Sequence, residues 1–280
     1  MLNYLIIDDL INRALQEDMP FGDITTNATI SETSSSRASV IVKEDGIICG
    51  IPVFKRVYKL LGDVEVSFDV NDGDFVKKGT VIGKVSGNTR NILNGERIAL
   101  NLMQRMSGIA TTTNRYAKEL EGLNAQVVDT RKTTPLYRHL DKYSVRCGGG
   151  SNHRLSLSDS VLIKDNHIAA AGGIKNAVEL AKKNSSFTTK IEIETETKEE
   201  VLEALESKAD IIMLDNMTPE KASEMVNLID GKAITECSGN ITLETIRSYG
   251  ETGVDFISCG ALTHSFKVLD ISLKNLVTID

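Results

Sequence analysis

Between Arg131 and His167 the chain sets seven lysines and arginines against three aspartates, and adds three of its four histidines. That segment carries a local charge of +4 inside a chain of formal net charge −7. Several cations cannot share a partly buried site unless an anion neutralises them. A basic island in an acidic protein suits a small anionic ligand, because a nucleic acid usually needs a broader basic surface. The candidates are Arg131, Lys132, His153, Arg154 and Lys164. Arginine favours a bidentate grip on carboxylate or phosphate. Glu194 and Asp215 supply the opposite sign, and such oxygens would serve Mg²⁺ or sugar hydroxyls. Two later turns, Ser238-Gly239-Asn240 and Ser258-Cys259-Gly260-Ala261, offer backbone N–H groups freed by glycine, a common way to hold phosphate. A solvated basic face and two plain turns would share the same composition, so the case rests on what brings these residues together.

The second half of the sequence provides such a frame. Strand-like runs at Ala125–Val128, Val161–Ile163, Lys190–Ile193, Ile211–Leu214, Ala233–Thr235 and Val254–Ile257 alternate with helical patterns at Ile174–Lys183, Lys198–Leu205, Pro219–Ile229 and Leu243–Tyr249. Thr218 is the expected cap before Pro219. This βα repeat predicts a parallel sheet or barrel. Each strand ends in polar residues: Asp129, Lys164, Glu194, Asp215, Glu236 and Ser258. In a βα barrel those positions share the C-terminal mouth, where chemistry is found. The run Gly148-Gly149-Gly150 before the basic loop reads either as a hinge that folds the loop over a ligand or as a plain linker.

The first half differs. A helical period brings Leu2, Leu5, Ile6, Leu10, Ile11 and Leu15 to one side, and strands follow at Ser39–Lys43, Val64–Phe68 and Val76–Val85. A long helix is expected from about Glu96, interrupted near Gly108, with a second helix around Asn114 to Leu120. At 280 residues, 41% hydrophobic and 25% charged, the chain can bury a large core and is neither disordered nor a disulfide scaffold. No apolar run reaches about 18 residues, so no membrane-spanning helix is expected. The N-terminus lacks a basic n-region and does not read as a secretory signal. The four cysteines form no C-x-x-C pair, which favours a reduced, cytoplasmic protein.

Five stretches carry a family resemblance: Asp129-Thr130-Arg131-Lys132-Thr133-Thr134-Pro135; Arg146-Cys147-Gly148-Gly149-Gly150-Ser151-Asn152-His153-Arg154; Ile163-Lys164-Asp165-Asn166-His167; Met213-Leu214-Asp215-Asn216; and Gly260-Ala261-Leu262-Thr263-His264. Together they resemble the quinolinate phosphoribosyltransferases, type II phosphoribosyltransferases also called carboxylating nicotinate-nucleotide pyrophosphorylases. The likeness runs from Glu17-Asp18 and Gly22-Asp23-Ile24-Thr25-Thr26 to Leu269-Asp270-Ile271-Ser272-Leu273. It implies an α/β protein with an N-terminal α/β sandwich (1–108, with 266–280 packing on it) and an open, incomplete α/β barrel (109–265). It implies quinolinate and 5-phosphoribosyl 1-diphosphate as substrates, Mg²⁺ as cofactor, and nicotinate mononucleotide, pyrophosphate and CO₂ as products in NAD biosynthesis. It also implies a homodimer in which Arg97 reaches quinolinate from the partner subunit. Arg131, Lys132, His153, Arg154 and Lys164 would line the quinolinate and diphosphate region, with Lys132 and Lys164 catalytic. Glu194 and Asp215 would face the ribose and its metal, directly or indirectly, and are the remaining catalytic candidates. Ser238, Gly239, Gly260 and His264 would hold the phosphate end.

Two stretches depart from the family pattern. Asn240 stands where a second glycine is usual, and Leu136-Tyr137 where Gly-Leu is more usual. Other readings stay open. The stretch Asp72–Val85 resembles half of a lipoyl or biotinyl carrier, without the lysine turn. A related transferase acting on nicotinate, or a molybdenum-linked paralogue, would share the barrel, and only a dicarboxylate would release CO₂. A sugar-phosphate aldolase would need a Schiff-base lysine.

Overall fold

The structure is a computed structural model and describes residues 2–279. Its elements in chain order are α1 (Tyr4–Asp18), α2 (Ile24–Thr29), β1 (Ser35–Val42), β2 (Gly46–Ile47), α3 (Ile51–Leu61), β3 (Val64–Phe68), β4 (Phe75–Val76), β5 (Val81–Asn88), α4 (Thr89–Glu119), β6 (Gln126–Val128) and α5 (Arg138–Cys147). There follow β7 (Val161–Ile163), α6 (Asp165–Ala171), α7 (Ile174–Asn184), β8 (Ile191–Thr195), α8 (Lys198–Glu206), β9 (Ile211–Asp215), α9 (Pro219–Ile229), β10 (Ile234–Ser238), α10 (Ile246–Gly250), β11 (Phe256–Ser258), α11 (Ala261–His264) and β12 (Ile271–Ile279). They form two compact units, one of Met1–Asn114, Thr134–Gly149 and Phe266–Asp280, the other of Arg115–Thr133 and Gly150–Ser265. Among the described residues no helix is long and apolar enough to cross a membrane.

The first unit is built on an antiparallel sheet of order β12-β1-β5-β3. On β1 burial alternates, so Ser36, Ala38, Val40 and Val42 face inward. Phe54, Val57 and Tyr58 of α3 and Met103, Met106 and Ala110 of α4 complete the core. The phenylalanine, valine and methionine side chains among them each contribute about 1.5–3 kcal/mol on burial. The stretch that resembles a carrier is divided between β4, paired with β2, and β5, in the centre of the sheet. Helix α1 buries Ile7, Ile11 and Leu15, spaced four apart, whereas Leu5 is exposed. The expected face was therefore turned too far toward Leu5.

Helix α4 is one unbroken helix of 31 residues, not two. Gly108 does not interrupt it. The backbone at Lys267–Val268 passes against that glycine, and a Cβ there would strike the Lys267 carbonyl oxygen. Gly148 is likewise a packing glycine rather than linker, since a Cβ would meet the Ala110 carbonyl oxygen and Thr113.

The second unit is a parallel sheet of order β6-β11-β10-β9-β8-β7. The first strand pairs with the last, as in a barrel, whereas β6 and β7 share no ladder, so the ring is open there. The Val128–Ser151 bridge extends the β6 edge. This is the open α/β barrel that the βα repeat and the resemblance lead one to expect. Thr218 accepts from the Lys221 N–H and starts α9 at Pro219. Helices α5 and α6 carry no signal that the periodicity reading detected.

Candidate active site

Ladder register decides what faces the barrel lumen. Glu192 pairs with Ile211, and Glu194 with Met213. Ile211 pairs in turn with Ile234, Met213 with Glu236, and Asp215 with Ser238. Glu236 pairs with Phe256. Side chains alternate faces along a strand, so Glu192, Glu194, Met213, Asp215, Glu236 and Ser238 all point inward. Strands β8 to β11 run one to three residues beyond the ends expected from sequence. Glu194, Asp215, Ser238 and Ser258 are therefore the last residues, or nearly so, of their strands.

These residues surround a cavity of about 480 Å³, lined by Arg131, Lys132, His153, Arg154, Lys164, Glu194, Asp215, Ser238 and Gly239, together with Asn216 and Glu236. The barrel thus brings together nine of the twelve sequence candidates. Gly260 and His264 stand at the edge: a Cβ on Gly260 would lie 3.0 Å from Lys132 Cδ and 2.9 Å from His264 Nε2. Thr263 Oγ1 donates to the Lys132 carbonyl at 2.9 Å and fixes that backbone. Arg97 is an exposed residue of α4 in the other unit. Among the other histidines, His139 belongs to that unit too, and the ring of His167 accepts from the Lys164 N–H at 3.0 Å to cap α6.

The basic loop is held by Asp129, which is fully buried. Its carboxylate accepts from the His153 N–H at 3.0 Å and from Asn152 Nδ2 at 2.5 Å. Ser151 N–H donates to the Val127 carbonyl at 2.9 Å, which lays the segment along β6. Arg154 Nη1 donates to the Ser160 carbonyl at 3.1 Å. Lys164 forms an ion pair with Glu194. Asp215 accepts from Asn216 Nδ2 at 2.6 Å. In the phosphate-type turn Gly239 has φ +97°, and a Cβ there would clash with the Asn216 side chain. Asn240 has φ +50°, the left-handed region that asparagine tolerates, and its Nδ2 donates to Asn216 Oδ1 at 3.3 Å.

The electrostatics call for an anion. Arg131 Nε is buried with no hydrogen-bond partner. Burial, then the neighbouring charge of Arg131, makes the Arg154 guanidinium less basic than usual. His153 lies with Nε2 3.2 Å from Glu192 and 3.4 Å from Glu236. Burial opposes its charge, yet the hydrogen bonds and charges of the two carboxylates outweigh that and push its pKa up to about 10. Glu192 was not among the sequence candidates, and Glu236 was expected only as a polar residue at a strand end, with no role assigned. The signal was there: each lies two residues before a mouth residue, Glu194 or Ser238, on the same face of its strand.

Residues 23–107 match the family model of the quinolinate phosphoribosyl transferase N-terminal domain, and residues 109–274 that of its C-terminal domain. The chain belongs to the quinolinate phosphoribosyltransferase family. A probable carboxylating nicotinate-nucleotide pyrophosphorylase of Bacillus subtilis is 42% identical over 97% of this chain and 94% of its own length. A mitochondrial decarboxylating quinolinate phosphoribosyltransferase of Nicotiana tabacum is 47% identical over 93% of this chain and 80% of its own. Among solved structures, NadC from Streptococcus pyogenes superposes with a TM-score of 0.97 at 41% identity, covering 100% of this chain and 99% of that one. The nicotinate-nucleotide pyrophosphorylase of Francisella tularensis gives 0.94 at 40% identity, covering 98% and 97%. In this family member the charged cavity sits at the strand ends, where the barrel architecture puts chemistry.

Proposed function

We propose that this cavity transfers the phosphoribosyl group of 5-phosphoribosyl 1-diphosphate to quinolinate, releasing pyrophosphate, CO₂ and nicotinate mononucleotide for NAD biosynthesis. The observation that carries the reading is the cationic wall: Arg131, Lys132, His153, Arg154 and Lys164 face one space, and a buried Arg131 donor lacks an acceptor. Such a wall suits a ligand with two carboxylates better than one with a single carboxylate. An aldolase is disfavoured because Lys164 is tied to Glu194 in an ion pair rather than presented as a nucleophilic amine.

Quinolinate nitrogen attacks ribose carbon 1 as the bond to the diphosphate oxygen breaks. Positive charge grows on the sugar, and Glu194 and Asp215 stabilise it from the lumen. Lysine and arginine side chains take up the charge of the departing diphosphate. The resulting pyridinium withdraws electrons, so the bond to the adjacent carboxylate breaks, CO₂ leaves, and the electron pair left on the ring carbon takes a proton. The wall fixes both carboxylates, so positioning supplies much of the catalysis. Ser238 and Gly239 hold the phosphate end, with Gly260 and His264 at the rim. The donor set also fits Mg²⁺, a hard cation that usually takes one or two carboxylates plus substrate phosphates. Glu194 and Asp215 would hold it, and when bound it would neutralise diphosphate charge.

The reading includes a homodimer with Arg97 serving the partner's cavity, supported by the exposed apolar side chains Leu5, Phe21 and Ile24. It includes a cytoplasmic setting, supported by four free cysteines. The test is to mix the protein with quinolinate, phosphoribosyl diphosphate and Mg²⁺ and to follow CO₂ and the mononucleotide. Both should appear in equal amounts and stop on chelation by EDTA. Nicotinate in place of quinolinate should give no CO₂. Failure to form mononucleotide from quinolinate would sink the assignment.

A further inference from the structure

Two glutamates lie two residues below the mouth residues Glu194 and Ser238 on the same faces of their strands. Glu192 of β8 is 2% exposed and Glu236 of β10 is 4% exposed. Buried carboxylates are costly unless paired. Both aim at one atom, His153 Nε2, at 3.2 and 3.4 Å. At the other edge of the ring, the Arg154 N–H donates to Nδ1 at 2.7 Å. The ring is thus held at both nitrogens, by two strands and by its own loop. A neutral ring whose Nδ1 accepts must carry its proton on Nε2, and a charged ring carries one there too, although its Nδ1–H can then no longer accept from Arg154. In either state the Nε2–H points at the glutamates.

The position of this clamp gives it meaning. His153, Arg154 and Glu236 line the active-site cavity, and the same three line a second cavity of about 430 Å³ reached from the opposite end of the strands, beside Lys190 and Phe256. The clamp residues thus border both cavities. A histidine free to turn there could rotate away from a ligand above it. Glu236 Oε1 is buried without a hydrogen-bond partner, so packing and hydrogen bonding do not fully account for this glutamate.

We propose that Glu192 and Glu236 are positioning residues that act through His153, locking its ring as a fixed, proton-bearing floor for the quinolinate side of the cavity. The proposal rests on the transferase reading above and adds residues that touch no substrate themselves. The charged and polar groups around His153 include Glu192 from β8 and Glu236 from β10 at Nε2, the Arg154 backbone at Nδ1, and Asp129 on the His153 backbone N–H.

The test uses Glu236→Gln and Glu192→Gln in the full chain. The KM for quinolinate should rise by about tenfold or more, while the KM for phosphoribosyl diphosphate stays within about twofold. The ring of His153 should lose its positive charge at lower pH in each variant than in the parent, because each variant removes a carboxylate that keeps the second proton on the ring. A purely structural role would lower the melting temperature and leave the titration of the ring and the KM ratio unchanged, and that result would overturn the proposal. Should both variants fail to fold, histidine-specific ¹⁵N NMR of the unaltered protein decides, because there are only four histidines. One signal, identified by its loss in His153→Gln, should keep a protonated Nε2 through pH 9. An Nε2 that loses its proton near the ordinary histidine value, about 6.5, would end the proposal. This measurement needs no turnover, so it judges the clamp even if the activity assignment falls.

Discussion

Arg154 and Lys132 make different demands on the same cavity. Arg154 is tied by the Ser160 carbonyl and has lost some basicity to burial and to Arg131. Lys132 is exposed, and its backbone is anchored from both sides, its N–H by Thr130 Oγ1 at 3.0 Å and its carbonyl by Thr263. Removing one partner of a desolvated charge pair costs about 2–5 kcal/mol. Arg154→Ala and Lys132→Ala should therefore each lower kcat/KM by about 10²- to 10³-fold at pH 7.5, with an unchanged circular dichroism spectrum. Near-parent activity in both would remove the basic island from the mechanism. The island was visible in sequence because composition alone isolates it. That the two glutamates are buried side by side was not, because a glutamate inside a strand betrays its facing only when register is known. Ile191-Glu192-Ile193-Glu194 has the alternation of a strand with one charged face, and it takes the ladder to show that this face is the lumen.

Turns and glycines explain where reading the elements succeeded and where it failed. The strands of the barrel were legible because each is a short apolar run flanked by a helical period. The continuity of α4 was not, because Gly108 breaks helical propensity locally yet is demanded by a chain segment more than 150 residues away in sequence. Two turns make opposite predictions. Leu136 adopts φ +70° and is exposed, at a position where the family more often has glycine. A non-glycine residue there costs on the order of 1 kcal/mol of strain. Leu136→Gly should therefore be neutral to stabilising by up to about 1 kcal/mol, read as a small rise in the denaturant midpoint with an unchanged slope. Gly239 holds φ +97° and has the Asn216 side chain where a Cβ would go. Gly239→Ala should distort the phosphate turn and raise the KM for phosphoribosyl diphosphate by about tenfold or more, with less change for quinolinate. An equal effect on both substrates would mean that the turn supports the whole cavity rather than the phosphate end.

For the complete chain, the charge pattern and the assembly belong to one argument. An acidic surface around a basic cavity concentrates the field at the mouth, and the anionic substrates follow that field. A cavity that draws two multiply charged anions needs cations from every available side, and Arg97 is an exposed cation in the unit that does not form the barrel. If Arg97 serves the cavity of a partner copy, two inactive proteins can repair each other. Arg97→Ala removes the donated arginine, and Lys164→Ala removes a residue of the barrel itself. Mixed and allowed to exchange subunits, half of the dimers are hybrids, and each hybrid has one cavity with both residues intact. Activity should therefore return to about a quarter of that of the parent protein, as two-fold symmetry requires. Gel filtration should show a single dimer peak for both variants and for the mixture. A mixture that stays as inactive as its components, with subunit exchange verified by mass spectrometry of tagged chains, would place Arg97 on its own copy's cavity or on none.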